Sequence, residues 1–371
     1  MHPVEIVLSP RLRTTPYERR VFEQGVKSVS IYNHMTLPVN FTDTEDEYRH
    51  LCEHVQVWDV AAERQVEVVG KDALALVELI TPRHIAQCAV GQGVYAPLAD
   101  QDGLMVNDPI ILRLAEDRFW ISIADSDVKL WVKGVAFGRG MDVSVFEPDV
   151  SPLAVQGPKA DDLMADLVGE HTRSIKFFRF IETEIAGAPV VLARSGWSGQ
   201  GGFEIYLQDA SRGLDLWDAV WQAGQKYQIR AGSPNLIERL ETGLKSYGSD
   251  MTHDDHVLEC GFDKFIHPDK PAEFMARESM QRFAGDSGAV RRQLVNLMVE
   301  KERLPPLRNR WSIQSAGNTV GSASSCAYSP RYDASLLFAM VDSTVATPGT
   351  RVDVVVDRQV HNAVVRDERW R

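Results

Sequence analysis

The segment Ser195-Gly196-Trp197-Ser198-Gly199-Gln200-Gly201-Gly202-Phe203-Glu204-Ile205-Tyr206 constrains this chain more than any other. Its four glycines and two serines let the backbone turn tightly and run close to a flat partner. Phe-Glu-Ile-Tyr then delivers one carboxylate and two aromatics from an extended stretch. The glycine spacing is not a dinucleotide-binding fingerprint, because no strand–Gly-x-Gly-x-x-Gly–helix unit frames it and an acidic residue follows at once rather than about 20 residues on. On the residues alone two readings stand: a hairpin turn with an exposed Glu204, and a loop that faces a ligand.

Around that segment the patterns alternate. Residues 44–56 and 72–80 read as amphipathic helices, with Val66 and Val68 in a strand between them. Residues 110–114 and 119–123 read as paired strands across the turn Ala115-Glu116-Asp117. Further helices are expected at 126–137, 159–168, 214–227 and 234–245, with extended runs at 143–146, 177–194 and 203–207. Strands and helices intermix with no regular βαβ succession, which predicts an α+β fold. From about residue 290 the runs at 291–299, 319–322, 336–341 and 352–356 are short, β-type and separated by Gly, Pro and Ser, as in a small all-β unit. Pro268-Asp269-Lys270-Pro271 and the polar stretch 285–288 suggest a division into 1–285 and 286–371.

A formal net charge of −12 argues against nucleic acid or an anionic membrane as partner, since both call for a basic face. Cys52, Cys88, Cys260 and Cys326 lie far apart with no Cys-x-x-Cys spacing, as expected of reduced thiols in the cytoplasm. Met1–Leu8 is too short and polar for a signal h-region, and no run of 18 apolar residues provides a membrane span. His253, Asp254, Asp255 and His256 with Cys260 do not follow a zinc-ligand spacing, so an acidic polar loop is expected there and no metal.

Five motifs, in order along nearly the whole chain, resemble the glycine-cleavage T-protein family. Residues 195–206 resemble its Gly-Tyr-Thr-Gly-Glu-x-Gly-Phe-Glu signature, and Asp102-Gly103-Leu104-Met105-Val106-Asn107-Asp108-Pro109 resembles its Gly-Gly-x-x-Asp-Asp/Asn-Asp loop. Leu153-Ala154-Val155-Gln156-Gly157-Pro158 matches an Ala-Val-Gln-Gly-Pro strand end. Arg239-Leu240-Glu241-Thr242-Gly243-Leu244 through Met251, and Ser324 through Pro330, match two later motifs. Tyr32-Asn33-His34-Met35, Val55-Gln56-Val57-Trp58-Asp59 and Phe146-Glu147-Pro148-Asp149 read closest to the subgroup of dimethylsulfoniopropionate demethylases. Asn235 and Leu236 stand where T-proteins carry Arg and Asp, which speaks against the glycine-cleavage substrate.

The resemblance implies a folate-binding fold with a C-terminal β-barrel, and a small-molecule methyl donor with tetrahydrofolate as co-substrate. It implies that Glu204 hydrogen-bonds the pterin ring, a charge-assisted contact of the orienting kind. It places Asp108 near N5 of the folate as the catalytic carboxylate. The competing reading of Asp108, a cap on the turn 103–109, rests on the turn chemistry of Asn-Asp-Pro. A cationic donor calls for aromatic faces, each contributing about 0.5–2 kcal/mol. Among the aromatics in or near the motifs, Tyr95, Phe178, Trp197 and Tyr206 are expected at the folate, and Tyr32, Trp131 and Trp197 at the donor. The rival readings are an N-methyl (methylated glycine) demethylase or aminomethyltransferase of the same family, and a folate-binding regulator without turnover. A homodimer is compatible with each.

Overall fold

In the computed structural model, which describes residues 9–285 and 290–367, the chain divides into two units. The first comprises Met1–Arg64, Pro148–Gly196 and Gln200–Pro234. Its centre is a six-stranded sheet in the order Phe180–Ile185, Ala188–Ala193, Gly202–Leu207, Ser151–Gln156, Gln56–Asp59, Arg230–Gly232. Neighbours are antiparallel except the last pair. The period-2 alternation of a strand sorts Gly202–Leu207 cleanly. Phe203, Ile205 and Leu207 join the main core with Leu153, Val155 and Trp217, while Glu204 and Tyr206 face the other side. Every residue of that strand is buried, so the second face is covered as well. Ahead of the sheet, Ser28–Tyr32 and Met35–Asn40 form a hairpin whose two turn residues, Asn33 and His34, both have positive φ.

The second unit comprises Gln65–Glu147, Trp197–Gly199 and Asn235–Arg371. It contains an antiparallel five-stranded sheet in the order Ser144–Phe146, Gln65–Val69, Arg118–Ser122, Ile110–Ala115, Gln92–Tyr95. The helices Ala73–Leu79 and Val128–Gly138 contribute to its core with Leu76, Ile80, Ile121 and Val132. A closed six-stranded barrel follows in the order Arg292–Glu300, Ala334–Asp342, Asn318–Ser329, Trp311–Ser315, Arg351–Val356, Gln359–Arg366, and the first strand pairs with the last. Closure leaves no free sheet edge.

The fold is therefore α+β with a C-terminal barrel, as expected. Three local expectations are corrected. The helix expected at 234–245 spans only Leu236–Thr242, because the Asn235 side chain accepts from the amides of Ile237 and Glu238 and Gly243 turns left-handed at φ 73°. The helix expected to reach residue 56 stops at Glu53, since Gln56–Asp59 pairs into the sheet. The barrel strand expected at 319–322 runs from Asn318 to Ser329, and Trp311–Ser315 and Gln359–Arg366 are additional strands. The expected division at 285/286 adjoins residues 286–289, which lie outside the described residues, as does Met1–Leu8.

Candidate active site

Two buried carboxyl groups organise the candidate residues, one in each unit. Glu204 sits mid-strand at 6% exposure, which removes the reading of an exposed turn glutamate. Its register partners are Ala154 on one side and Ala193 on the other, so small side chains flank it within the sheet. Oε2 accepts the Ser195 hydroxyl, and it accepts the Tyr206 phenol at 3.3 Å. Among the described residues no hydrogen bond reaches Oε1. Burial raises the Glu204 carboxyl above its usual range, against the two hydroxyl bonds that lower it.

The glycine loop that precedes this strand returns to the sheet at Gly202, whose φ of 146° no ordinary side chain adopts comfortably. Trp197–Gly199 group with the second unit, where the Arg239 guanidinium lies 5.6 Å from the Trp197 ring centre. Phe178 has φ 60°, an uncommon conformation for a bulky residue; its amide donates to Arg194 O at 2.9 Å, and its ring meets the exposed Phe177 edge-on at 4.4 Å.

Asp108 follows the strand Met105–Asn107 in the second unit. Asn107 fixes that strand end, since its side chain accepts from Ala124 N at 3.0 Å and donates to Ala124 O and the Ser126 hydroxyl. The Asp108 carboxylate accepts the Tyr95 phenol at 2.8 Å and the backbone amide of Tyr247. Burial pushes its pKa up to about 7, even though Tyr95, Tyr247 and the positive charge of Arg239 all pull it down. A carboxyl poised near neutrality can take up a proton at working pH. Behind it Arg239 is buried and ion-paired to Asp250, donates to the Ser325 hydroxyl at 3.1 Å and to Leu244 O at 3.0 Å. Asp250 in turn accepts Ser324 and Ser325 at 2.8 and 2.7 Å. Tyr95 packs on Phe265 and Phe262 at 4.7 and 5.5 Å between ring centres.

The expected residues thus fall into clusters. Glu204 and Tyr206 are bonded to each other in the first unit, and Asp108 and Tyr95 are bonded in the second. Tyr32 ends the first hairpin strand and is partly buried. Trp131, expected at the donor, packs partly buried against the core of the five-stranded sheet and belongs to neither carboxyl cluster. Ser195, Gln156, Arg239 and Tyr247 lie inside quoted motifs, but sequence reasoning does not single them out, because their partners are brought to them only by the fold. Around 253–260, His253 pairs with Asp100 at 2.9 Å, His256 Nδ1 accepts from Leu258 N at 3.2 Å, and the Cys260 thiol donates to His256 O at 3.4 Å. Among the described residues no group of three or more His, Cys, Asp or Glu is placed to hold a metal ion. No helix among them is long and apolar enough to cross a membrane.

The chain is similar to known proteins along nearly its whole length. Residues 17–270 match the GCVT N-terminal domain, and residues 292–370 match the glycine cleavage T-protein C-terminal barrel domain. The chain is 44% identical over 363 residues to the dimethylsulfoniopropionate demethylase DmdA of Ruegeria pomeroyi, covering 98% of both chains. It is 27% identical over 363 residues to an aminomethyltransferase of Bacillus mycoides, covering 95% of this chain and 96% of that one. The solved aminomethyltransferase T of Bartonella henselae shares the fold with a TM-score of 0.85 at 22% identity, covering 96% of this chain and 97% of its own. The chain belongs to the glycine-cleavage T-protein family of folate-dependent methyl-transfer enzymes.

Proposed function

We propose that this enzyme demethylates a small sulfonium, dimethylsulfoniopropionate, with tetrahydrofolate as methyl acceptor. The observation that carries the substrate is the 44% identity to a dimethylsulfoniopropionate demethylase along 98% of the chain. Two features of the chain suit the folate: a buried carboxylate with one unpartnered oxygen, Glu204, and a buried carboxyl near neutral pKa, Asp108.

Tetrahydrofolate supplies the nucleophilic nitrogen, N5, that accepts the methyl group. Glu204 holds the flat pterin edge through Oε1, while Ser195 and Tyr206 fix its orientation from Oε2. Asp108, with Tyr95 and the Tyr247 amide aligning it, stabilises positive charge at N5 and receives the proton that N5 releases. As the sulfonium C–S bond breaks, its electron pair stays on sulfur and the product is a neutral thioether. The donor's own charge activates the methyl, so the residues need only hold two molecules in line without water, an arrangement that can supply about 7–11 kcal/mol of barrier lowering. Arg239 occupies one side of Trp197. With that face already taken by the ion-paired guanidinium, we assign Trp197 to the folate, and Tyr32 remains for the donor. The four free cysteines suit a reducing cytoplasm, and a homodimer, which light scattering would decide, is compatible with the activity.

The test supplies methyl-labelled dimethylsulfoniopropionate, tetrahydrofolate and a chelator. The expected outcome is labelled 5-methyltetrahydrofolate, strict dependence on tetrahydrofolate and no loss of rate with chelator. Label transfer from N-methylglycine but not from the sulfonium would replace the proposed donor, and absence of any methylated folate across a donor panel would leave a binding protein. Loss of activity with chelator, restored by zinc, would overturn the metal-independent mechanism.

A further inference from the structure

We propose that Gln156 is a positioning residue of the folate site, clamping both ends of the glycine loop so that Ser195 holds Glu204 with Oε1 open. This rests on Glu204 being the folate-binding carboxylate. Gln156 ends the strand Ser151–Gln156 and is fully buried. Its Nε2 donates to Ser195 O at 3.2 Å and to Phe203 O at 3.3 Å. Those two carbonyls bracket the loop, and the neighbouring amide of Gly157 donates to Gly201 O at 3.0 Å as a second tie. The glycines make room for this head group: a Cβ at Gly196 would collide with the Gln156 carboxamide, and one at Gly202 would lie 2.7 Å from Nε2.

From this clamp the contacts run in one direction. Gln156 fixes the Ser195 carbonyl, the Ser195 hydroxyl donates to Glu204 Oε2, and Tyr206 occupies the same oxygen. With the Oε2 lone pairs satisfied, the carboxylate has one defined orientation and Oε1 is its open acceptor. The chemistry selects an amide at position 156. A neutral head with two N–H donors can serve two carbonyls, a carboxylate would face them with like charge, and a methionine would fill the space without donating.

The experiment compares Gln156→Met, Ser195→Ala, the double variant and Glu204→Gln, measuring melting temperature, tetrahydrofolate affinity by calorimetry, and KM separately from kcat. Gln156→Met and Ser195→Ala should each weaken tetrahydrofolate binding about tenfold, with the change in folate KM and little in donor KM. The double variant should be no weaker than the worse single one, because both act through Glu204. A folded Gln156→Met enzyme with wild-type folate affinity, alongside a weakened Glu204→Gln, would reduce Gln156 to packing. Should Gln156→Met not fold, the small deletion in Ser195→Ala decides: unchanged affinity there breaks the chain of contacts. Unchanged affinity in Glu204→Gln would instead remove the folate-anchor reading itself.

Discussion

Glu204 and Asp108 are both buried carboxyls raised by desolvation, yet their surroundings differ in kind. Glu204 sits inside a strand, and its side-chain partners are two hydroxyls, Ser195 and Tyr206, so burial rather than a nearby charge raises its carboxyl. Asp108 stands just past a strand end, takes a phenol and a backbone amide, and feels the charge of Arg239. Hydroxyl partners fix direction and change little with the ligand's charge. A guanidinium nearby, opposed by burial, leaves a carboxyl balanced near pH 7, where a proton can move either way. The contrast fits the division of labour proposed above, in which one group orients the folate and the other exchanges a proton.

The largest expected effect falls on the second group. Asp108→Asn should lower kcat by about 10²–10⁴-fold while tetrahydrofolate affinity stays close to wild type, as steady-state kinetics with calorimetry would show. Near-normal turnover would return Asp108 to the turn-capping role and erase the contrast. Next, Glu204→Gln should weaken tetrahydrofolate binding by about 1–3 kcal/mol, measured by calorimetry, because a buried donor would meet the wrong group. A smaller effect sharpens the electrostatics. If the ionised form of Asp108 is the working base, kcat/KM should rise with pH through about 7. Tyr95→Phe removes a bond that lowers this pKa, so the rise should move to higher pH, and a shift to lower pH would contradict it. The smallest effect is on stability. Asp108 has its folded pKa raised from 3.8 to about 7, so its stabilising contribution is full below about pH 4 and is lost as pH rises through 7. Asp108→Asn should therefore melt several degrees above wild type at pH 8, with the advantage gone at pH 4.

Much of the frame was legible because it is written in local patterns. The extended run 203–207 is readable from its composition, and the structure then sorts Phe203, Ile205 and Leu207 into the core. The barrel strand Asn318–Ser329 was seen only in part, since its serines and glycine carry a weak strand signal and it is held by pairing on both sides. Periodicity does not mark a helix end that a cap decides, as at Asn235 and Gly243. The carboxyls themselves were found through motifs, but not what tunes them. Ser195 is nine residues from Glu204, Gln156 is 39 from Ser195, and Ser325 is 86 from Arg239. No local pattern announces such pairings; they exist only after the sheets and barrel have formed. Trp131 is the reverse case: an aromatic near the motifs that the helix Val128–Gly138 turns toward the core.

The most direct test of the division of labour is kcat at saturating tetrahydrofolate for Glu204→Gln and Asp108→Asn, measured side by side. The predicted result is a Glu204→Gln enzyme that recovers to within a few-fold of wild-type kcat as tetrahydrofolate is raised, and an Asp108→Asn enzyme that stays slow at every concentration. A Glu204→Gln enzyme that remains as slow as Asp108→Asn under saturation, or an Asp108→Asn enzyme rescued by added tetrahydrofolate, would contradict it.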